Sequence, residues 1–195
     1  MKLMVVDTAL GLCTVGVFEV EGGSARPLGL RSEPMVKGHS ERIAGFARDA
    51  ALQAGLAFTD LDRIGVTVGP GSFTGLRVGL AFAQGLAAAL DRPVVGVSAL
   101  DALAALAGEA RAAAALIDAR RGQVYARFWR GGEADGAAEA LSLEAAAARI
   151  GAMGTGAVLI GSGAALFAEA SAGMTILSLD GPAPEALARL AAAAD

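Results

Sequence analysis

At 195 residues the chain is long enough to bury a core and can form one domain or two small lobes. Its net charge of −4 excludes non-specific RNA or DNA binding by the chain alone. The single cysteine, Cys13, excludes an internal disulfide and suits a reducing, cytoplasmic setting. Hydrophobic residues make up 54% and mean hydropathy is +0.53, an excess that points to an interface or to an alanine-rich background such as the Ala112–Ala115 run. No signal peptide is expected, because only four apolar residues separate Lys2 from Asp7.

In chain order, Leu3–Val6, Leu12–Val20 and Ala25–Glu33 read as strands, the last two joined by a hairpin turn at Glu21-Gly22-Gly23-Ser24. Cys13 falls in an alternating strand and reads as a packing residue rather than a nucleophile. A helix opens at Gly38-His39-Ser40-Glu41 and runs to Ala54. Its apolar stripe is Ile43, Phe46, Ala47, Ala50 and Ala54, and Gly55 ends it. The β-branched run over 63–68 reads as a buried strand, broken by Gly69-Pro70-Gly71-Ser72.

The helix that follows, 73–90, has only Arg77 and Gln84 as large polar side chains between Thr74 and Asp91. A helix apolar nearly all round is expected to be buried on every side, by this chain or by a second one. Gly75, Gly79 and Ala83 form a ridge of small residues that would let another helix approach. At 73–90 the segment is expected to be too short to span a bilayer, which takes about 20 apolar residues. Pro93–Val97 reads as a strand, with Ser98 capping a helix over 99–107.

A second unit begins near residue 110. Strand Ala114–Asp118, turn Ala119-Arg120-Arg121-Gly122 and return strand Gln123–Trp129 come first. A loop over 131–137, a helix over 142–150, weaker strands at 157–160 and 174–179, and a helix over 184–194 follow. The pattern predicts an α/β protein in which a mixed sheet flanked by helices is made twice.

The residues suited to chemistry are few. The glycine loop ahead of the helix is a potential anion site through its free backbone N–H groups. It lacks both the dinucleotide glycine spacing (position 74 is Thr) and the P-loop lysine (Leu76 and Arg77 follow Gly75). The alternative is a tight turn capped by Ser72 or Thr74. His39 is the only histidine, so no two-histidine metal site exists, and it reads as a capping or packing residue. Asp7 and Asp118 each end the first strand of their half. They could share one cleft and hold a metal–phosphate group, or each could cap its own turn; without a lysine or glycine clamp nearby the second reading is favoured. Arg120, Arg121, Arg127 and Arg130 read as surface arginines.

Taken together, Val5-Val6-Asp7-Thr8, His39-Ser40-Glu41-Arg42, Val68-Gly69-Pro70-Gly71-Ser72-Phe73-Thr74-Gly75-Leu76-Arg77-Val78-Gly79, Pro93-Val94-Val95-Gly96-Val97-Ser98 and Ile117-Asp118-Ala119-Arg120-Arg121-Gly122-Gln123-Val124-Tyr125 resemble the TsaB (YeaZ) family, relatives of the TsaD/Kae1 proteins. The resemblance covers the first two-thirds of the chain. Beyond Trp129 its best point is Ile160-Gly161-Ser162-Gly163-Ala164.

The resemblance implies an actin/Hsp70/sugar-kinase-like (ribonuclease-H-like) fold of two lobes. The partner-binding lobe would cover 1–108 and a reduced C-terminal lobe 109–195, with the last helix packing back on the first lobe. It implies a cytoplasmic, non-catalytic scaffold for N6-threonylcarbamoyladenosine (t6A) formation at position 37 of tRNAs that read ANN codons. A TsaD-like subunit would perform the transfer, a TsaE-like ATPase would assist, and tRNA would be met only through the complex. No membrane, metal or tightly bound cofactor is implied; ATP or ADP would bind only at the complex interface, and the chain alone would be a homodimer. No intrinsic ATPase or peptidase activity is expected.

Partner contact in such a family runs through the helices at 39–54 and 73–90. The candidate interface residues are therefore His39, Ile43, Phe46, Ala47, Ala50, Gly75, Leu76, Gly79, Leu80, Phe82, Ala83 and Leu86. Asp7, Thr8 and Asp118 are candidate vestiges of a phosphate site. On this view Gly79→Arg leaves a folded monomer that cannot bind its partner. The competing reading is a small stand-alone ATPase or phosphotransferase working from Asp7 and Asp118.

Overall fold

A computed structural model describes residues 1–35 and 37–194 of the chain. They fall into two compact units, one formed by Met1–Ala99 with the segment from Ala183 onward, the other by Leu100–Pro182.

In the first unit, β1 (Lys2–Asp7), β2 (Leu12–Glu21) and β3 (Ser24–Pro34) form an antiparallel meander. Gly22 and Gly23 both adopt positive φ at the β2–β3 reversal, which a two-residue hairpin turn requires. β4 (Arg63–Gly69) pairs parallel to β1, and β5 (Val94–Ser98) parallel to β4, giving the order β3-β2-β1-β4-β5.

Alternation along the strands sends Met4 and Val6, Cys13, Val15 and Val17, and Ile64 and Val66 to one face. There they meet α1 (His39–Ala54), which contributes Ile43, Phe46, Ala47 and Ala50, and α2 (Phe73–Leu90), which contributes Ala83 and Ala87. Gly55 ends α1 in the left-handed conformation, its N–H reaching the carbonyls of Ala51 and Leu52.

The other face of β4 receives α5 (Pro184–Ala193). Ala191 lies so close to Gly65 that a Cβ there would stand 2.6 Å from the alanine methyl. Arg63 fastens the helix end by donating from Nη1 to the carbonyls of Ala191 (2.8 Å) and Ala194 (2.6 Å). This answers the unpaired carbonyls of a last helical turn with a cation.

The second unit opens with α3 (Ala99–Ala104), all of which but Ala99 belongs to it. Its sheet contains β6 (Ala112–Arg120), β7 (Gln123–Arg130), β8 (Glu133–Ala134), β9 (Glu139–Ser142), β10 (Val158–Ile160) and β11 (Thr175–Leu177). The order is β11-β10-β6-β7-β8, with β9 also paired to β7. α4 (Leu143–Gly151) and a 3-10 segment over Ala164–Ala170 pack Ile150 and Phe167 onto Leu116, Val124, Phe128 and Leu159. Two mixed α/β sheets result, as the repeated strand and helix pattern predicts.

Three local expectations need correction. α3 stops at Ala104 rather than 107, because the chain loosens into three-residue turns before Gly108 at positive φ. The stretch expected as loop over 131–137 contains β8, and β9 was not anticipated. Both are held by pairing with β7 rather than by their own small, acidic composition. Finally, α2 is long and apolar enough, by length and composition, to cross a membrane, so the exclusion on length does not hold. What marks it as a sheet-packed helix is its seat on β1 and β4 through buried Gly75, Gly79, Ala83 and Ala87.

Candidate functional site

The loop from Gly69 to Ser72 is a tight strand-to-helix turn in which Ser72 is engaged through its N–H, carbonyl and hydroxyl. Ser72 caps α2, its hydroxyl accepting from the Gly75 N–H. The Ser72 N–H donates to the Ala9 carbonyl at 2.7 Å. Gly71 and Gly75 are glycines for a packing reason. A Cβ on either would collide with backbone carbonyls of the β1–β2 loop, Ala9 O for Gly71 and Thr8 O for Gly75. The Thr8 hydroxyl is buried and donates to the Gly75 carbonyl at 2.7 Å. The two loops are thus fastened to each other.

Asp7 anchors the first of these loops. It is buried, and its Oδ1 accepts from the Thr67 hydroxyl (2.6 Å) and the Ala9 N–H (3.0 Å), while Oδ2 has no partner. Burial raises its pKa from the ordinary 3.8; the Thr67 and Ala9 hydrogen bonds and the nearby His39 oppose the shift without cancelling it. A carboxyl whose folded pKa lies above its unfolded value stabilises the fold fully only below that unfolded value. The contribution is lost as pH rises through the folded one. Asp7→Asn keeps an Oδ1 acceptor and carries no charge. The melting temperature of the variant relative to wild type should therefore climb as the pH rises above about 4, the ordinary carboxyl value. Parallel pH profiles would contradict this assignment.

Asp118 belongs to the other unit and is engaged locally. Its Oδ1 accepts from the Arg120 N–H at 2.8 Å, and its own N–H donates to the Ser162 hydroxyl. Arg120, Arg121 and Gly122 all take positive φ in the hairpin that Asp118 caps. Of the arginines read as surface residues, Arg127 is paired with Asp101 at 2.6 Å. His39 is buried at the start of α1 as a packing residue; Gly38, not a side chain, precedes the helix, and His39 Nε2 has no partner. Burial pushes the Cys13 thiol up to about 11, which leaves it unreactive at neutral pH. Among the described residues no three His, Cys, Asp or Glu side chains are grouped to hold a metal.

The candidate interface residues divide sharply. His39, Ile43, Phe46, Ala47 and Ala50 are buried in the first unit, and the outward side of α1 exposes Ser40, Glu41, Arg42 and Arg48 together with Ala44 and Leu52. Gly75, Gly79 and Ala83 are likewise buried, which corrects their assignment to a partner-facing ridge. The ridge lowers α2 onto this chain's own β1 and β4, and a Cβ on Gly79 would lie 2.5 Å from the Thr8 hydroxyl and 3.7 Å from Val66.

This chain does not itself bury the helix on every side: only those three residues and Ala87 are buried within α2. Leu76, Leu80, Phe82 and Leu86 are partly buried on its flanks, the last three against the first unit's core. Phe73, not singled out in the sequence, is 69% exposed, with the Arg77 guanidinium stacked 3.8 Å from its ring centroid. Its place among few polar neighbours was a usable signal.

Residues 25–161 match the family described as TsaD: tRNA N6-adenosine threonylcarbamoyltransferase. The chain is 36% identical over 129 residues to the tRNA threonylcarbamoyladenosine biosynthesis protein TsaB of Escherichia coli K12, covering 64% of this chain and 53% of that protein. The corresponding Haemophilus influenzae protein is also 36% identical over 129 residues, with 64% of this chain and 52% of that protein covered. The aligned part thus spans about half the length of these curated relatives. In three dimensions, a Pseudomonas aeruginosa protein described as similar to peptidase YeaZ superposes with a TM-score of 0.80 at 31% identity, over 98% of this chain and 90% of that one. YeaZ from the same organism gives 0.77 at 29% identity, again over 98% and 90%.

Proposed function

We propose that this chain, which belongs to the TsaB (YeaZ) family, is an accessory subunit for threonylcarbamoyladenosine formation on tRNA, without catalytic machinery of its own. Its task is to dock a TsaD-like transferase through α2. The observation that carries this reading is the helix itself. It is apolar nearly all round, yet buries only its small-residue face completely: Leu80, Phe82 and Leu86 are partly buried against the first unit's core, and Phe73 stands exposed at its start. An uncovered apolar face of this kind is a solubility hazard unless a partner covers it.

The engaged loops support the non-catalytic part. Thr8, Ser72, Asp7 Oδ1 and Asp118 all spend their hydrogen bonds on this chain's own backbone and side chains. ATP or ADP, a TsaE-like ATPase and tRNA enter through the assembled complex, and a homodimer on the same face serves as the resting state. The alternative of an independent ATPase working from Asp7 and Asp118 has no observation in its favour.

Reconstitution tests the function. The TsaD-like protein and ATPase from the same cell, supplied with threonylcarbamoyl-AMP and unmodified tRNA, should form the modified nucleoside only when this chain is present. Equal product without it would refute the accessory role. Product that is lost with Asp7→Asn or Asp118→Asn, in a variant that still assembles, would restore the catalytic reading.

A further inference from the structure

Thr8 sits where the first β-hairpin loop meets α2, and its hydroxyl does something the helix does not need for its own closure. The Gly75 carbonyl lies inside α2, where the helix supplies a donor four residues on. Thr8 Oγ1 adds a second donor from another element at 2.7 Å, in a buried setting, and the same oxygen stands against Gly79 one turn later. Below it the loop is tied down twice more. The Ala9 carbonyl accepts from the Ser72 N–H, and the Ala9 N–H is held by Asp7, which Thr67 holds in turn. The chain β4–Asp7–loop–Thr8–α2 is continuous in hydrogen bonds. It ends on the two turns that display Phe73 and carry the partly buried Leu76 and Leu80.

We infer that Thr8 is a positioning residue, a hydroxyl clamp that fixes the first two turns of α2 for partner docking. This rests on the reading of α2 as the docking helix. An interface anchored on few side chains is sensitive to small displacements of the element that carries them, because a displaced anchor leaves its pocket incompletely desolvated. Thr8→Val preserves shape and removes the donor; Thr8→Ser preserves the donor and removes a methyl.

Affinity for the TsaD-like protein, measured by titration calorimetry, and hydrogen exchange of residues 73–80 are read on wild type and both variants. Thr8→Val should bind about tenfold more weakly, the scale of one buried hydrogen bond. Its amides over 73–80 should exchange faster while the rest of the first unit keeps its protection, and Thr8→Ser should restore both. Wild-type affinity in Thr8→Val, or a Thr8→Ser variant as weak as Thr8→Val, would overturn the clamp. A Thr8→Val chain that does not fold would also overturn it, by assigning the hydroxyl to general stability. If wild type itself binds no TsaD-like protein, the docking function fails separately. Exchange over 73–80 then decides the clamp alone: faster in Thr8→Val sustains it, unchanged overturns it.

Discussion

Gly79→Arg should unfold the first unit rather than leave a monomer that has merely lost its partner. Position 79 has no room for a first side-chain carbon, which would meet the Thr8 hydroxyl at 2.5 Å, and beyond it lies Val66. A longer side chain would have to lift α2 off β1 and β4. Its guanidinium would be left in a buried region whose nearest polar atom, the Thr8 hydroxyl, is already committed to Gly75. Overpacking of a close contact costs about 1–3 kcal/mol and an unpaired buried charge several more, against a total stability of roughly 5–15 kcal/mol. Circular dichroism melts should show either no cooperative transition or one lowered by more than about 10 °C. A variant that melts like wild type and fails only in binding would mean that the ridge faces outward after all.

The second large effect is expected from removing the last helix. A chain ending at Pro182 loses the buried side chains of Ala186, Leu187, Ala188 and Ala191. It also bares the Gly65 face of the central strand and strands the Arg63 guanidinium without its carbonyl acceptors. Burial of one leucine and three alanines against the sheet contributes on the order of 5 kcal/mol. The truncated chain should therefore lack a cooperative transition for the first unit. Arg63→Ala alone, which removes the hydrogen bonds but leaves the helix packed, should cost about 1–2 kcal/mol. A truncated chain that melts within about 2 °C of wild type would show that α5 adds nothing to the first sheet.

The contrast between α1 and α2 shows what the residues alone could and could not reveal. The extent and apolar stripe of α1 were legible, because Ile43, Phe46, Ala47 and Ala50 recur at helical spacing, but the periodicity did not say what covers that stripe: it packs on this chain's own sheet and not on a partner. α2 has no such stripe. With apolar residues on every side, the sequence reveals that it is unusual but not which face goes inward. Glycine at 75 and 79 fits a helix approached by a partner as well as one lowered onto its own sheet. Only the position of Thr8 separates the two, and that contact spans 67 residues of sequence.

The same holds for the phosphate-site candidates. Asp7 and Asp118 could be found from their places at strand ends, but their hydrogen-bond partners, Thr67 and Ala9 for one and Arg120 for the other, are set by the fold. β8 and β9 escaped notice because their residues have little strand preference and owe their conformation to β7 beside them.

The most direct test of the docking role is light-scattering chromatography of this chain, alone and mixed with the TsaD-like protein of the same cell, for wild type and Phe73→Asp. Phe73 is 69% exposed at the first turn of α2, so the charge can be accommodated in the free chain and should be excluded from an apolar interface. The account predicts a stoichiometric mixed peak for wild type and its loss for Phe73→Asp, with the folded variant eluting alone. A mixed peak that survives Phe73→Asp, or no mixed peak for wild type even with the ATPase and nucleotide added, would contradict it.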